Sequence, residues 1–379
     1  MRLVATSRLP DGACLARDVE HGSEGTVPLL RAGVTLSGRY RQLLLDAGIH
    51  AVYVDDELGE GIEVPLAVRH TTRVEAGRAL SKAFADVRRT AHEPDALPDK
   101  TIYALESVVA KIVDELGSAE NAAIALGDLR AADAFTFQHS IDVTVVGLLI
   151  GRRLFREHGY VDYRGDRAWK RSEEHLTQLG LGLILHDIGK LAVPDEILHK
   201  PGPLDEREWI VMKRHPEIGV DMLAGSPIGA LATCVVRSHH ERWNGSGYPR
   251  GTVATAIPQL ARIAAVADVF DAITSERPYA SAAPQHVGVD AILDGRGTLY
   301  EPEVVDIFAK VVVPYPPGNE IVLTDGRTGT VSSVPPDHPS LPVVRLATDA
   351  DGQPCEPFEL SLVMRPELAP TRREAVSTA

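Results

Sequence analysis

Cysteine is scarce in this chain. Cys14, Cys234 and Cys355 are scattered and odd in number, which excludes a disulfide framework and a thiolate zinc site. Net positive charge is missing too: 39 Lys and Arg against 53 Asp and Glu leave −14 at pH 7. That balance argues against broad attraction to nucleic acid or anionic lipid. An anionic substrate must then be drawn in by metal and basic side chains acting locally. No stretch approaches the roughly 20 apolar residues that cross a bilayer, and residues 1–10 lack the uninterrupted apolar run of a signal peptide. A cytoplasmic protein with neither nucleic acid nor membrane as partner is the expectation. Internal repeats and low-complexity runs are also lacking.

What is present is enough for a real core. Hydrophobic residues make up 44% of 379 and charged residues 24%, a globular composition long enough for two or three domains. Residues 1–66 read as a small α+β module, with strand-like runs at Val27–Leu30 and Ala51–Val54 and a helix beginning near Ser37, a good N-cap type. Residues 67–99 read as a helical connector whose stripe (Ala76, Leu80, Ala83, Phe84, Val87) packs on the next domain, with a homodimer contact as the alternative use. From 100 to 313 the pattern is almost wholly helical. Expected segments are 134–158, 173–188, 205–223, 227–240, 257–275 and 301–313, and strand patterns are absent. After Pro314 the texture turns β-rich, and residues 314–366 suggest a small β-barrel-like module or sandwich, followed by a disordered tail, 367–379. The fold class expected is mostly α: a central all-α bundle flanked by two small modules.

Seven residues carry the chemistry: His139, His186, Asp187, His215, His239, His240 and Asp268. Each sits in, or at the end of, an apolar segment read as helix. Imidazole and carboxylate donors without thiolate are the set that holds first-row divalent ions for hydrolysis. Asp268 lies inside the apolar run Leu260–Ile273, where an unpaired carboxylate is costly and a metal would explain it. Asp271, three residues on, can orient a ligand or accept a proton. Lys190, four residues after His186, and Arg277, just past the Asp268 helix, are candidates to face phosphate. The segment Asn244-Gly-Ser-Gly-Tyr-Pro249 supplies a loop in which Gly247 frees the backbone and Tyr248 offers a ring for stacking. Arg214, Arg237 and Arg242 read as surface charge.

The text around these positions resembles the HD-GYP domains, a branch of the HD metal-dependent phosphohydrolases. The matching stretches are Phe137-Gln-His-Ser140, His186-Asp-Ile-Gly-Lys-Leu-Ala-Val-Pro-Asp195, Lys200-Pro-Gly-Pro-Leu204, His215-Pro216, His239-His-Glu-Arg-Trp-Asn-Gly-Ser-Gly-Tyr-Pro249 and Ala261 to Tyr279. The resemblance implies a phosphodiesterase acting on cyclic di-GMP to give pGpG or, after a second cut, GMP. It also implies two or three ions, iron or manganese, at the seven positions, with Asp187 bridging and Lys190 and Arg277 on the phosphate. Asp133 matches a family aspartate near the site. Two departures follow. Phe135 stands where three-metal members carry Glu, so two ions and pGpG are expected. Ala280 stands where many members have a basic residue, so one phosphate contact is lacking. The competing expectations are a non-hydrolysing scaffold that docks diguanylate cyclases through the Gly–Tyr loop, and a hydrolase of another cyclic dinucleotide such as 3′3′-cyclic GMP-AMP.

Overall fold

The computed structural model describes residues 1–19, 28–90, 97–118, 135–162, 164–275 and 282–370. The chain opens with strand β1 (Arg2–Ala5), then β2 (Cys14–Leu15), helix α1 (Gly38–Asp46) and β3 (Ala51–Asp55). These strands form an antiparallel sheet in the order β1-β3-β2, with Arg2 opposite Val54 and Leu15 opposite that same residue from the other side. Leu44 of α1 closes a core of Leu9, Leu15, Leu36, Ile49, Val52 and Val54. Helix α1 and strand β3 match the sequence expectation. Strand β1 escapes it because four residues are too few to display alternation. Of the expected strand Val27–Leu30, Val27 lies outside the described residues, and Leu30 makes only an isolated bridge to Val19. Ser37 occupies the N-cap position with extended backbone, yet its side chain makes no capping bond.

A helical bundle follows: α2 (His70–Thr90), α3 (Asp99–Ser118), α4 (Phe135–His158), a short hairpin of β4 (Tyr160–Val161) and β5 (Arg167–Ala168), and α5 (Ser172–Ile184). A 3-10 turn (Ile188–Ala192) leads to α6 (Asp195–Leu198), α7 (Glu206–Met212), α8 (His215–Met222) and α9 (Ala230–Ser238). The bundle ends with α10 (Gln259–Thr274), α11 (Gln285–Asp294) and α12 (Pro302–Val311). The first half of α4, the second half of α5 and most of α10 are buried on nearly every face, as segments enclosed by other helices must be. Packing α5 on α4 uses Gly147 and Gly151, because Leu183 and Leu179 fill the space in which their Cβ atoms would stand.

Several expectations are corrected here. Segment 205–223 is two helices, since Pro216 has no N–H to continue the ladder of α7 but fits the first turn of α8. Helix α5 stops at Ile184, so His186 and Asp187 lie in the turn beyond it. The β4–β5 hairpin and α11 interrupt and extend a region read as helical and complete without them. The stripe Ala76, Leu80, Ala83, Phe84 and Val87 of α2 is buried in the same core as α3 and α4, which leaves none of it for a dimer contact.

The last part is an antiparallel meander of β6 (Glu320–Val322), β7 (Thr328–Ser333), β8 (Val343–Thr348) and β9 (Pro354–Ser361), in that spatial order. Ile321, Leu323, Val331, Val344, Leu346 and Leu362 form its core. No pairing joins β6 to β9 among the described residues, so the sheet is open rather than the barrel-like module expected; β6 has three residues and β9 is exposed along much of its length. Order also runs past the expected boundary of the tail. A 3-10 turn spans Pro366–Leu368 and Pro370 bridges to Leu323. Residues 371–379 lie outside the described residues. The two sheets touch: Leu3 N–H donates to the Gly318 carbonyl at 2.8 Å, and Arg345 Nη1 donates to the Leu58 carbonyl at 3.2 Å. No helix among the described residues is long and apolar enough to cross a membrane.

Candidate metal centre

Four helices and one turn deliver the seven residues to one buried point. His139 comes from α4, His186 and Asp187 from the turn after α5, His215 from the first residue of α8, His239 and His240 from the end of α9, and Asp268 from the middle of α10. All are buried except His240, which is half-buried. Gly189 allows the turn to close. A Cβ at that position would strike the His215 carbonyl, so only glycine lets the turn carrying His186 and Asp187 lie against the start of α8.

Asp187 stands at the middle of the cluster. Its Oδ1 lies 3.4 Å from His215 Nε2 and 3.8 Å from His239 Nε2. Its Oδ2 lies 3.4 Å from His186 Nε2 and 3.7 Å from His139 Nε2. One carboxylate therefore faces two groups of imidazoles, and the donors fall into two sets small enough for one ion each: His139, His186 and Asp187, and Asp187, His215, His239 and His240. Asp268 closes the opposite side, with Oδ1 at 3.3 Å from His139 Nε2 and Oδ2 at 3.5 Å from His240 Nδ1.

The tautomers follow from what each ring's other nitrogen meets. His186 Nδ1 is 2.6 Å from the Leu183 carbonyl, His215 Nδ1 is 2.8 Å from that of Met212, and His239 Nδ1 is 3.0 Å from that of Val236. A carbonyl can only accept, so each Nδ1 carries the proton and each Nε2 presents a lone pair. His215 and His239 then point their Nε2 lone pairs at each other across 3.3 Å. His186 Nε2 and Asp187 Oδ1 have no hydrogen-bond partner at all. Buried acceptors converging without a donor are costly, and a divalent cation is what reconciles them. The donor set fits one.

Electrostatics agree. Burial holds the imidazoles of His186, His239 and His240 below their usual range and brings His215 down to about 4, so they are neutral and ready to ligate. Burial opposes charge on Asp187 as well, but the Lys190 ammonium and the His139 ring outweigh it and keep the carboxylate ionised. His139 behaves differently: burial disfavours its charge, yet bonds to Asp268 and Asp271 push it up to about 9. A cation entering there would displace that proton.

The remaining sequence candidates divide. Lys190 Nζ sits 2.6 Å from Asp187 Oδ2, within the centre. Asp271 Oδ2 is 2.6 Å from His139 Nδ1 and its Oδ1 accepts from Ser275 Oγ at 2.8 Å. With both oxygens engaged, the geometry favours its orienting use over its use as proton acceptor. The Tyr248 ring lies 4.6 Å from that of His240, at 33°. Gly247 is forced, since a Cβ would collide with the backbone of His240 and Arg242. Arg277, Asp133 and Ala280 lie outside the described residues, as does the side chain of Phe135. Arg242 is not simple surface charge: its Nη1 donates to the carbonyls of Glu241 at 3.1 Å and His239 at 3.4 Å.

Glu241 was missed. Only 2% exposed, its carboxylate accepts from the backbone N–H of Arg250 and of Thr252, both at 2.9 Å, and so pins the Gly–Tyr loop beside His240. Its only sequence signal was a place directly after the His doublet. The buried pair of Arg73 and Asp142, 2.7 Å apart behind His139, had no signal at all.

Residues 156–304 match the HD domain family model, which takes in every one of the seven but His139. A cyclic di-GMP phosphodiesterase of Pseudomonas aeruginosa is 36% identical over 225 residues, covering 58% of this chain and 50% of that protein. A cyclic di-GMP phosphodiesterase response regulator of Xanthomonas campestris is 49% identical over 140 residues, 36% of each chain. A 3′3′-cGAMP-specific phosphodiesterase of Vibrio cholerae is 42% identical over 125 residues, 32% of this chain and 24% of that one. The chain thus spans half or less of the length of these relatives.

Proposed function

We propose that the centre of this chain is an HD domain of the HD-GYP kind and that the protein is a metal-dependent phosphodiesterase that hydrolyses cyclic di-GMP to linear pGpG. The observation that carries the reading is the convergence of imidazole lone pairs on both oxygens of Asp187. We propose two ions, iron or manganese, one held by His139, His186 and Asp187 and the other by Asp187, His215, His239 and His240, with Asp268 completing the shell. Bound there, divalent ions would supply Lewis acidity and lower the pKa of water.

The chain's own residues do the rest. Asp271 fixes His139 so that its Nε2 faces inward. The Lys190 ammonium, on the same side as Asp187, offsets charge that develops on the phosphoryl oxygens, and Arg277 serves as a second cation. Hydrolysis adds water across one P–O3′ bond, leaving a 5′-phosphate on one nucleotide and a 3′-hydroxyl on the other. The accompanying domain division is 1–66, 67–99, 100–313 and 314–366. A second reading, cyclic GMP-AMP as substrate, is favoured by the Vibrio relative's name alone. Nothing in the centre favours the non-hydrolysing scaffold.

The test is anaerobic purification, metal quantification, and chromatography of products formed from each cyclic dinucleotide with added Fe(II) or Mn(II). Two ions per chain and pGpG are expected. Protein that takes up no ion, or leaves cyclic di-GMP intact when loaded, overturns the proposal. Faster cleavage of cyclic GMP-AMP would move it to the second reading.

A further inference from the structure

We propose that Trp209, exposed on α7, and Lys213, exposed at its C-terminal cap, form a recognition rim for the part of the cyclic dinucleotide that lies outside the metal centre. The inference rests on the reading of that centre given above. A cyclic dinucleotide carries two phosphates and two purine bases on one ring. When one phosphate is at the ions, the second phosphate and the bases must be held elsewhere.

The structure marks where. The His240 ring borders Tyr248, as described, and the Lys213 ammonium lies 5.7 Å from the Tyr248 ring centroid and 5.9 Å from that of Trp209. Each of these side chains borders the next, from His240 through Tyr248 and Lys213 to Trp209. Trp209 and Lys213 are four residues apart, one helical turn, and the Lys213 N–H donates to the Trp209 carbonyl at 2.9 Å, so their relation is fixed by backbone. Their support is rigid as well. Asp205 and Glu208 cap α7 reciprocally, and Lys200 pairs with Glu208.

Trp209 is 44% exposed. An indole left in water contributes little to a fold, whereas its flat face is the surface on which a purine stacks. Lys213 has the matching charge. Lys190, beside Asp187, serves the phosphate at the ions and Lys200 pairs with Glu208, while no described carboxylate pairs with Lys213. On a chain of net charge −14, an unspent cation beside the centre is what a second phosphate requires.

The experiment compares cyclic di-GMP with bis(4-nitrophenyl) phosphate, a diester with no purine and no second phosphate, using metal-loaded full chain. Trp209→Ala and Lys213→Gln should each raise KM for the cyclic dinucleotide about tenfold, with kcat nearly kept, so that selectivity for it over the small diester falls by the same factor. Trp209→Phe should restore most of the loss, which a merely structural role would not predict. Equilibrium dialysis of cyclic di-GMP against the same proteins should show the same weakening in Kd. Unchanged selectivity and Kd in both variants overturn the rim. Wild-type protein that cleaves neither diester overturns the reading of the centre instead; the dialysis then still judges the rim, and absence of wild-type binding rejects it too.

Discussion

Helix α4 carries two buried polar clusters three residues apart, and they are built on opposite rules. At Asp142 the charge is balanced by protein: Arg73 Nη1 lies 2.7 Å from one oxygen and Gln138 Nε2 donates to the other at 2.9 Å. Burial pushes Asp142 up to about 6, against the pull of Arg73. In the centre that His139 borders, the acceptors of His215 and His239 face each other, and His186 Nε2 and Asp187 Oδ1 are left without donors. Burial alone does not distinguish structure from function here. The balance of donors against acceptors does. A charge-balanced pair holds α2 to α4 with only Arg73 Nε left unbonded, while an open set of acceptors waits for a cation.

The comparison breaks first at the open cluster. His186→Ala or Asp187→Ala should lower turnover of cyclic di-GMP by about a thousandfold or more, the scale on which loss of one preorganised charge-stabilising group is felt. Thermal unfolding of metal-free His186→Ala should hold steady or rise, because an acceptor without a donor has gone, whereas Asp187→Ala, which strips Lys190 of its partner, should unfold somewhat earlier. Full activity in either variant rejects the assignment of the centre. A collapse of the metal-free fold would place Asp187 in the same class as Asp142.

At the closed pair the signs reverse. Arg73→Ala leaves a buried carboxylate unpaired and should cost about 3–5 kcal/mol, read as a lower midpoint of unfolding that added Mn(II) does not restore. Arg73→Met combined with Asp142→Leu should recover most of the loss, since apolar replacement of both partners is often neutral. If the double variant stays as unstable as Arg73→Ala, the pair is not self-contained and the contrast fails.

The open cluster was far more legible in sequence than the closed one. Metal ligands declare themselves by type: a His-Asp doublet ending an apolar run and an Asp inside another have no bland explanation when seven such donors recur. Helix periodicity located α3 because its apolar face follows one period, while long apolar runs marked α4 and α10. It failed where tertiary contact decides. Pro216 splits a continuous pattern, α11 alternates too weakly to stand out, and Arg73 on an amphipathic helix looks like any solvated cation until α4 is packed against it. Glu241 illustrates the same limit, since its partners are backbone N–H groups, which carry no residue identity to read.

The exposed end of α4 supplies the control for both clusters. Glu157, at the last turn, pairs with Lys310 of α12 at 2.8 Å and with Arg153 at 2.7 Å. The bond from Lys310 outweighs partial burial and, with Arg153, brings the carboxyl from 4.5 to about 2. A folded-state pKa below the unfolded one adds stability that is complete above about 4.5 and disappears as pH falls through about 2. For a pair open to solvent that contribution is about 1 kcal/mol at most. Glu157→Gln should therefore unfold slightly earlier than wild type at pH 7, and the gap should close as pH approaches 2. Added salt should narrow it at pH 7 but leave the Arg73→Ala deficit nearly intact, because buried pairs are screened far less. A gap that persists at pH 2 would mean that Glu157 acts through packing rather than charge.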